Sequence, residues 1–335
     1  MAPLPATMQR LVKSYRASVT CLATGRGREF GAPSIQQLVK NSYSTSEMSK
    51  LSLTRDTGRF STAQRIFYED NGYLLLPRLV PLDLLEKCSQ RFDDIASGKV
   101  DHGNMTVMRD VKDRSVVVKV QDLNFDGVFK EYIKFDQLLD AVEPFTGPNV
   151  MAMHSMYIAK PPDSGSGSSW HPPHQDLYYF PFRPADRIVA AWTAIEPATK
   201  ENGCLQVSPG SHRAFPLLPH EYPPNTVNKF YHGIQKLPNS ILWLDLEMQP
   251  GDTILFHPLL IHSSGINRTT RTRRSISCHY AAAECSYIEV KGTVQEVVSD
   301  EILSVLRRRF PGAEIKYDDV WRMKSTIVRG IRSSL

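Results

Sequence analysis

The sequence predicts a mainly β domain with flanking helices (α+β), built as a barrel or double-sheet jelly roll behind a separable N-terminal segment. Three observations predict it. From about residue 150 the chain runs as short β-rich stretches broken by Gly, Pro and Ser, at 151–158, 187–195, 204–208, 242–246, 253–256 and 274–280. Ahead of them lie stretches whose apolar residues have helical spacing. The first 60 residues, finally, hold nine Lys/Arg against three Asp/Glu and reach their first acid only at Glu29.

In chain order, residues 1–60 have the Ser-, Thr-, Arg- and Ala-rich composition of an organelle-targeting presequence or a disordered tail. The domain is expected over 61–335. Thr62 is placed to cap a helix carrying Ile66 and Phe67, and Gly72 to end it. Tyr73 to Leu76 reads as a strand. The spacing of Leu84, Leu85, Cys88 and Phe92 predicts a helix over 82–95. A strand at 116–120 and a helix over 129–145 follow. Residues 161–169 (PPDSGSGSS) form a flexible loop. A late helix spans 301–309.

Composition excludes several classes. The chain has 335 residues, 41% hydrophobic and 22% charged, enough for a sizeable core. No apolar run approaches the roughly 18–20 residues of a membrane helix. Beyond residue 60 there are 31 basic and 32 acidic residues, so the net charge of +5 belongs to the N-terminal segment. A nucleic-acid-binding body, which needs a concentrated basic face, is disfavoured, and Arg307-Arg308-Arg309 reads as a solvated helix face. Five cysteines without a CxxC pair make neither a disulfide framework nor a zinc knuckle.

The chemistry sits in Trp170-His171-Pro172-Pro173-His174-Gln175-Asp176. Side chains at i and i+2 of an extended segment share a face, so His174 and Asp176 converge. That is two-thirds of a facial triad, the ligand set that leaves iron(II) open positions for dioxygen and a chelating co-substrate. HxD alone is a weak signal. It gains weight from Gly251 to His262, a tight turn into an apolar strand ending in a histidine, and from Arg273 eleven residues later. His262 as third ligand, with an antiparallel return strand bringing Arg273 beside it, makes a bidentate carboxylate site to which Ser264 adds a hydroxyl. His257 competes for the third position and His171 is a further candidate. His212 and His279 read as core or surface histidines. Two histidines and a carboxylate also suit a hydrolytic zinc site, but Arg273 has no task in that scheme.

Several blocks resemble the phytanoyl-CoA dioxygenase family of Fe(II)/2-oxoglutarate oxygenases: FYEDNGYLLL (67–76), KPPDSGSGSSWHPPHQDLYYFPFRPAD (160–186), NGCLQVSPGSHR (202–213), GDTILFHPLLIHSSGIN (251–267) and RRSISCHYAAAECSYIEVKGT (273–293). The resemblance implies a double-stranded β-helix with His174, Asp176 and His262 as iron ligands and with Arg273 and Ser264 on the far carboxylate of 2-oxoglutarate. It places Lys119, Met156, Gln175 and Trp192 around the co-substrate. It implies O2-dependent hydroxylation of a branched or long-chain fatty acyl-CoA (phytanoyl-CoA) at C2, feeding fatty acid α-oxidation, with ascorbate as reductant. Another small substrate or acyl thioester is the alternative. Asp176 argues against halogenation, in which related enzymes lack the carboxylate ligand. The expected partners are the acyl-CoA and an acyl-carrier or sterol-carrier-type protein. The family's setting implies the peroxisome; the acid-poor start would equally suit the mitochondrion.

Overall fold

The computed structural model describes residues 51–224 and 231–335. The N-terminal segment expected at 1–60 therefore lies mostly outside the described residues. Its last part packs on the body: Leu53 and Phe60 are buried, and Glu69 Oε1 accepts the Leu53 amide at 2.6 Å. The boundary expected after residue 60 thus falls inside packed chain.

Four helices come first, with one strand between the first two and two strands between the second and third. α1 (Thr62–Asn71) is capped one residue earlier than expected: Ser61 Oγ accepts the Gln64 amide while Gln64 Oε1 accepts the Ser61 amide. Gly72 ends it at φ +77, a left-handed conformation that costs an L side chain energy. β1 (Tyr73–Leu76) and α2 (Leu82–Ala96) match their expectations closely. β2 (Thr106–Arg109), an unexpected strand, pairs with β3 (Val117–Gln121). The single helix expected over 129–145 is two, α3 (Gly127–Ile133) and α4 (Asp136–Thr146). Asp126 caps α3 by accepting the Val128 and Phe129 amides, and Phe135 is extended between them.

The β-rich half contains β4 (Val150–Lys160), β5 (His171–His174), β6 (Phe182–Arg183), β7 (Ile188–Ala194), β8 (Leu205–Val207), the one-turn helix α5 (Ser211–Ala214), β9 (Leu244–Leu246), β10 (Thr253–Phe256), β11 (His262–Ser264), β12 (Arg273–Ala282) and β13 (Ser286–Tyr287). α6 (Glu296–Arg309), α7 (Tyr317–Lys324) and β14 (Thr326–Arg329) close the chain. The large antiparallel sheet has the order β1-β10-β7-β12-β4-β3-β2, with β14 also on β4, and the small one the order β5-β11-β8-β9.

Alternation along β7 shows how the layers meet. Val189 and Ala191 join the core under α2, α3 and α4, with Phe92, Phe129 and Leu138. Ala190, Trp192 and Ala194 point the other way and pack on Leu205, Val207 and Leu246 of the small sheet. The two sheets thus face each other, helices cover the outside of the large one, and the expected jelly roll is formed. The return strand is the exception. β11 and β12 are not paired; they lie in opposite sheets, so Arg273 meets His262's strand across the interior and not beside it. The eight residues between Ser264 and Arg273 give the chain length to cross over.

Cys88, Cys204, Cys278 and Cys285 are buried free thiols, and burial pushes Cys88, Cys204 and Cys285 up to about 12, far from nucleophilic. No helix among the described residues is long and apolar enough to cross a membrane.

Candidate active site

The site is built where the small sheet opens. His174 closes β5 and His262 begins β11, and these residues are register partners, so their rings lie 4.1 Å apart between centroids. The chain stays extended through Gln175 (φ −121, ψ 124) before turning into the 3-10 segment Asp176–Tyr179. Asp176 therefore returns to the face of His174, as the HxD spacing requires. Asp176 Oδ1 stands 3.4 Å from His174 Nε2 and 3.6 Å from His262 Nε2. Among the described residues this trio alone gathers donor atoms of a kind and closeness that could hold a metal ion, and all three residues are buried.

The tautomers favour a metal. His174 Nδ1 lies 2.9 Å from Pro172 O and His262 Nδ1 2.9 Å from Leu260 O. A carbonyl only accepts, so both rings donate from Nδ1 and turn bare Nε2 lone pairs toward Asp176. Burial, and then His174, push His262 down to about 4, so it is neutral at physiological pH. Burial opposes ionisation of Asp176, but the surrounding histidines, with His279 donating to Oδ2, outweigh it and hold the carboxyl well below its usual range. Two imidazoles with bare Nε2 atoms and one ionised carboxylate, with no fourth protein ligand among the described residues, fit a divalent iron centre with open positions.

Sequence reasoning missed two supports. His279, read as core or surface, donates Nε2–H to Asp176 Oδ2 at 2.8 Å and so leaves Oδ1 facing the histidines. His220 accepts the Gln175 amide at Nε2 (2.9 Å) and stacks on Tyr178. His279 lies within the 273–293 block, but no spacing ties it to Asp176, and each histidine is brought in by a distant segment. His257 turns away from the site, to Asp186 at 3.2 Å, which removes it as third ligand. His171 stacks on His174 at 4.2 Å without joining the donor set.

Beside the trio is a cavity of about 70 Å³ lined by Lys119, His171, Trp192, Tyr231, Ser264 and Arg273, among others. Arg273 is 2% exposed, bonds Ser275 Oγ and Gly203 O, and has a buried Nε with no partner. Trp192 lies 5.2 Å from its guanidinium, and Tyr231 sits under the Lys119 ammonium at 4.4 Å. A buried arginine with an unused donor and no ion-paired carboxylate among the described residues fits a carboxylate ligand. Of the residues expected around a co-substrate, Lys119, Trp192, Ser264 and Arg273 meet here. Met156 and Gln175 do not line this cavity. Gln175 Nε2 donates to Pro216 O and Leu259 O, and Oε1 accepts the Leu218 amide, so it braces the segments before His262 and around His220.

Comparison with known proteins agrees with this geometry. The family model described as Phytanoyl-CoA dioxygenase (PhyH) matches residues 68–275. The chain is 47% identical over 304 residues to a probable phytanoyl-CoA dioxygenase of Caenorhabditis elegans, covering 84% of this chain and 97% of that protein. It is 45% identical over 294 residues to the human peroxisomal phytanoyl-CoA dioxygenase, covering 84% and 86%. Among solved structures, the epimerase SnoN in complex with Fe3+, alpha ketoglutarate and nogalamycin RO shares the fold at TM-score 0.56 and 17% identity, over 76% of this chain and 91% of that one. EctD from S. alaskensis with bound Fe does so at TM-score 0.56 and 18% identity, over 70% and 81%. On the family match and the length of these alignments, the chain belongs to the phytanoyl-CoA dioxygenase family.

Proposed function

We propose that this protein is an Fe(II)/2-oxoglutarate-dependent dioxygenase that hydroxylates a branched or long-chain fatty acyl-CoA, phytanoyl-CoA above all, at C2. The observation that carries the reading is the pairing of the His174–Asp176–His262 trio with a buried, carboxylate-free Arg273 in the same pocket. His174 and His262 present Nε2, Asp176 presents Oδ1, and His279 holds Asp176 Oδ2, so each ligand has one orientation. Arg273 and Ser264 bind the far carboxylate of 2-oxoglutarate, with Trp192 as a wall and the buried Lys119 lining the same cavity. Bound there, iron and 2-oxoglutarate supply the O2 activation: one oxygen atom goes into succinate as CO2 leaves, the other into the C2–H bond.

The chain's remaining task is exclusion of water and control of position. Trp192 and Leu205 give the pocket apolar surface, and His171 with Tyr231 stacks over His174. Retention of Asp176 supports hydroxylation over halogenation. The relatives named peroxisomal support the peroxisome as its location; imaging with each terminus masked in turn tests that. Acyl-CoAs of graded length and branching, scored for succinate and for the 2-hydroxyacyl-CoA, test the activity. Succinate and 2-hydroxyphytanoyl-CoA in equal amounts are expected. Coupled turnover of small non-thioester substrates alone would contradict the reading.

A further inference from the structure

β4 ends with Lys160 and β12 begins with Arg273, and the strand register sets the two opposite each other. Both are buried, at 6% and 2% exposure, and both line the cavity with Ser264. Like charges directly opposite on neighbouring strands repel, and a buried charge without a counter-charge costs more still. Among the described residues no carboxylate lies within ion-pair distance of either. Asp163, the acidic side chain that acts on Lys160 from further away, is occupied with the amides of Gly165, Gly167 and Ser169. The sequence shows none of this, because Lys160 stands there between a strand expected to end at 158 and a flexible loop expected to begin at 161.

The hydrogen bonds of Lys160 define what it can do. Its ammonium donates to Ser169 O (2.7 Å), Gly265 O (2.6 Å) and Ser264 Oγ (2.6 Å). An ammonium has three protons, so all are used within the protein. Ser264 Oγ is thereby an acceptor toward Lys160, and its single proton is left for a bond elsewhere. We propose that Lys160 is a positioning residue of the co-substrate pocket: it fixes Ser264 as a donor to the carboxylate that Arg273 binds, and the dianionic co-substrate supplies counter-charge to Lys160 and Arg273, with Lys119 a third buried cation in the same pocket. This rests on the reading of the cavity as the 2-oxoglutarate site. Burial and the Arg273 charge push the Lys160 ammonium well below its ordinary range, as expected of a cation whose counter-charge arrives with the ligand.

The test is calorimetric binding to the full chain loaded with Mn(II), using 2-oxoglutarate and 2-oxobutyrate. The two share the keto-acid end, but 2-oxobutyrate lacks the far carboxylate. Lys160→Met is expected to weaken 2-oxoglutarate by about 10- to 100-fold, the worth of a charge-assisted bond, and to leave 2-oxobutyrate unchanged. In a Ser264→Ala background the same substitution should cost much less, since the two residues act together. Should Lys160→Met not fold, Lys160→Gln, which keeps a donor for Ser169 O or Gly265 O, must show the same selectivity. Equal weakening of both ligands would mean that Lys160 only ties down the 161–169 loop, and no weakening would mean that its charge is irrelevant; either overturns the proposal. If the unsubstituted protein binds Mn(II) but not 2-oxoglutarate, the co-substrate reading fails and this proposal with it.

Discussion

At the residue scale, the geometry of His174, Asp176 and His262 is set by the residues that orient them, His279 on Asp176 above all. His279→Ala should weaken divalent-metal binding by about 10- to 100-fold without removing a ligand, because Asp176 Oδ2 loses its donor. A metal titration of folded variant and parent measures this; equal affinities would reduce the contact to packing. The reason His279 was not legible is its distance: it lies 103 residues from Asp176 in the chain and meets it only once β12 is laid into the large sheet. His174 and Asp176 were legible because their spacing alone puts them on one face. His262 was legible because an apolar strand delivers it inward. The sequence favours His262 over His257 only through its distance to Arg273, since Pro258 obscures the strand parity that would separate the two; the structure turns His257 away to Asp186.

At the scale of elements, most strands could be read from their apolar runs and turn residues, with ends displaced by a residue or two. The errors have local causes. Helices α3 and α4 look like one because Lys134 and Phe135 carry no Pro or Gly to mark the break. β11 and β12 look like a hairpin because the crossover between them contains ordinary turn residues. The turn before β8 carries a prediction of its own. Gly203 has φ +77, and a Cβ there would stand 2.3 Å from Gly265 O; its carbonyl meanwhile accepts Arg273 NH2 at 3.1 Å. Gly203→Ala should therefore destabilise by at least about 1–2 kcal/mol from backbone strain alone. By displacing the Arg273 anchor it should weaken 2-oxoglutarate binding as well. Thermal melts and ligand titration read the two effects, and an unchanged melting temperature would refute the strained-turn account.

At the scale of the molecule, the fold keeps several histidines neutral in its interior, and this couples stability to pH. Burial pushes His212 to about 4 and His220 to about 3, against an unfolded value of 6.5. Between those values the unfolded chain binds the protons and the folded one does not. The stability these groups allow is therefore intact above about pH 6.5 and falls as the pH drops toward 4. For metal-free protein the expected loss is on the order of 1 kcal/mol per pH unit for each histidine. Denaturant midpoints at pH 7, 6 and 5 check this, and a flat profile would contradict it. Saturating divalent metal should raise the midpoint at pH 7, by about 2.7 kcal/mol at a hundred times Kd, and should not do so in His174→Ala. The central claim is that His174, Asp176 and His262 together form the metal centre that supports turnover. Its most direct test is succinate release from phytanoyl-CoA on admitting O2 to protein loaded anaerobically with Fe(II) and 2-oxoglutarate, for the parent and for each single alanine variant. Loss of release in all three folded variants is the predicted result; parent-like release from Asp176→Ala or from either histidine variant would contradict it.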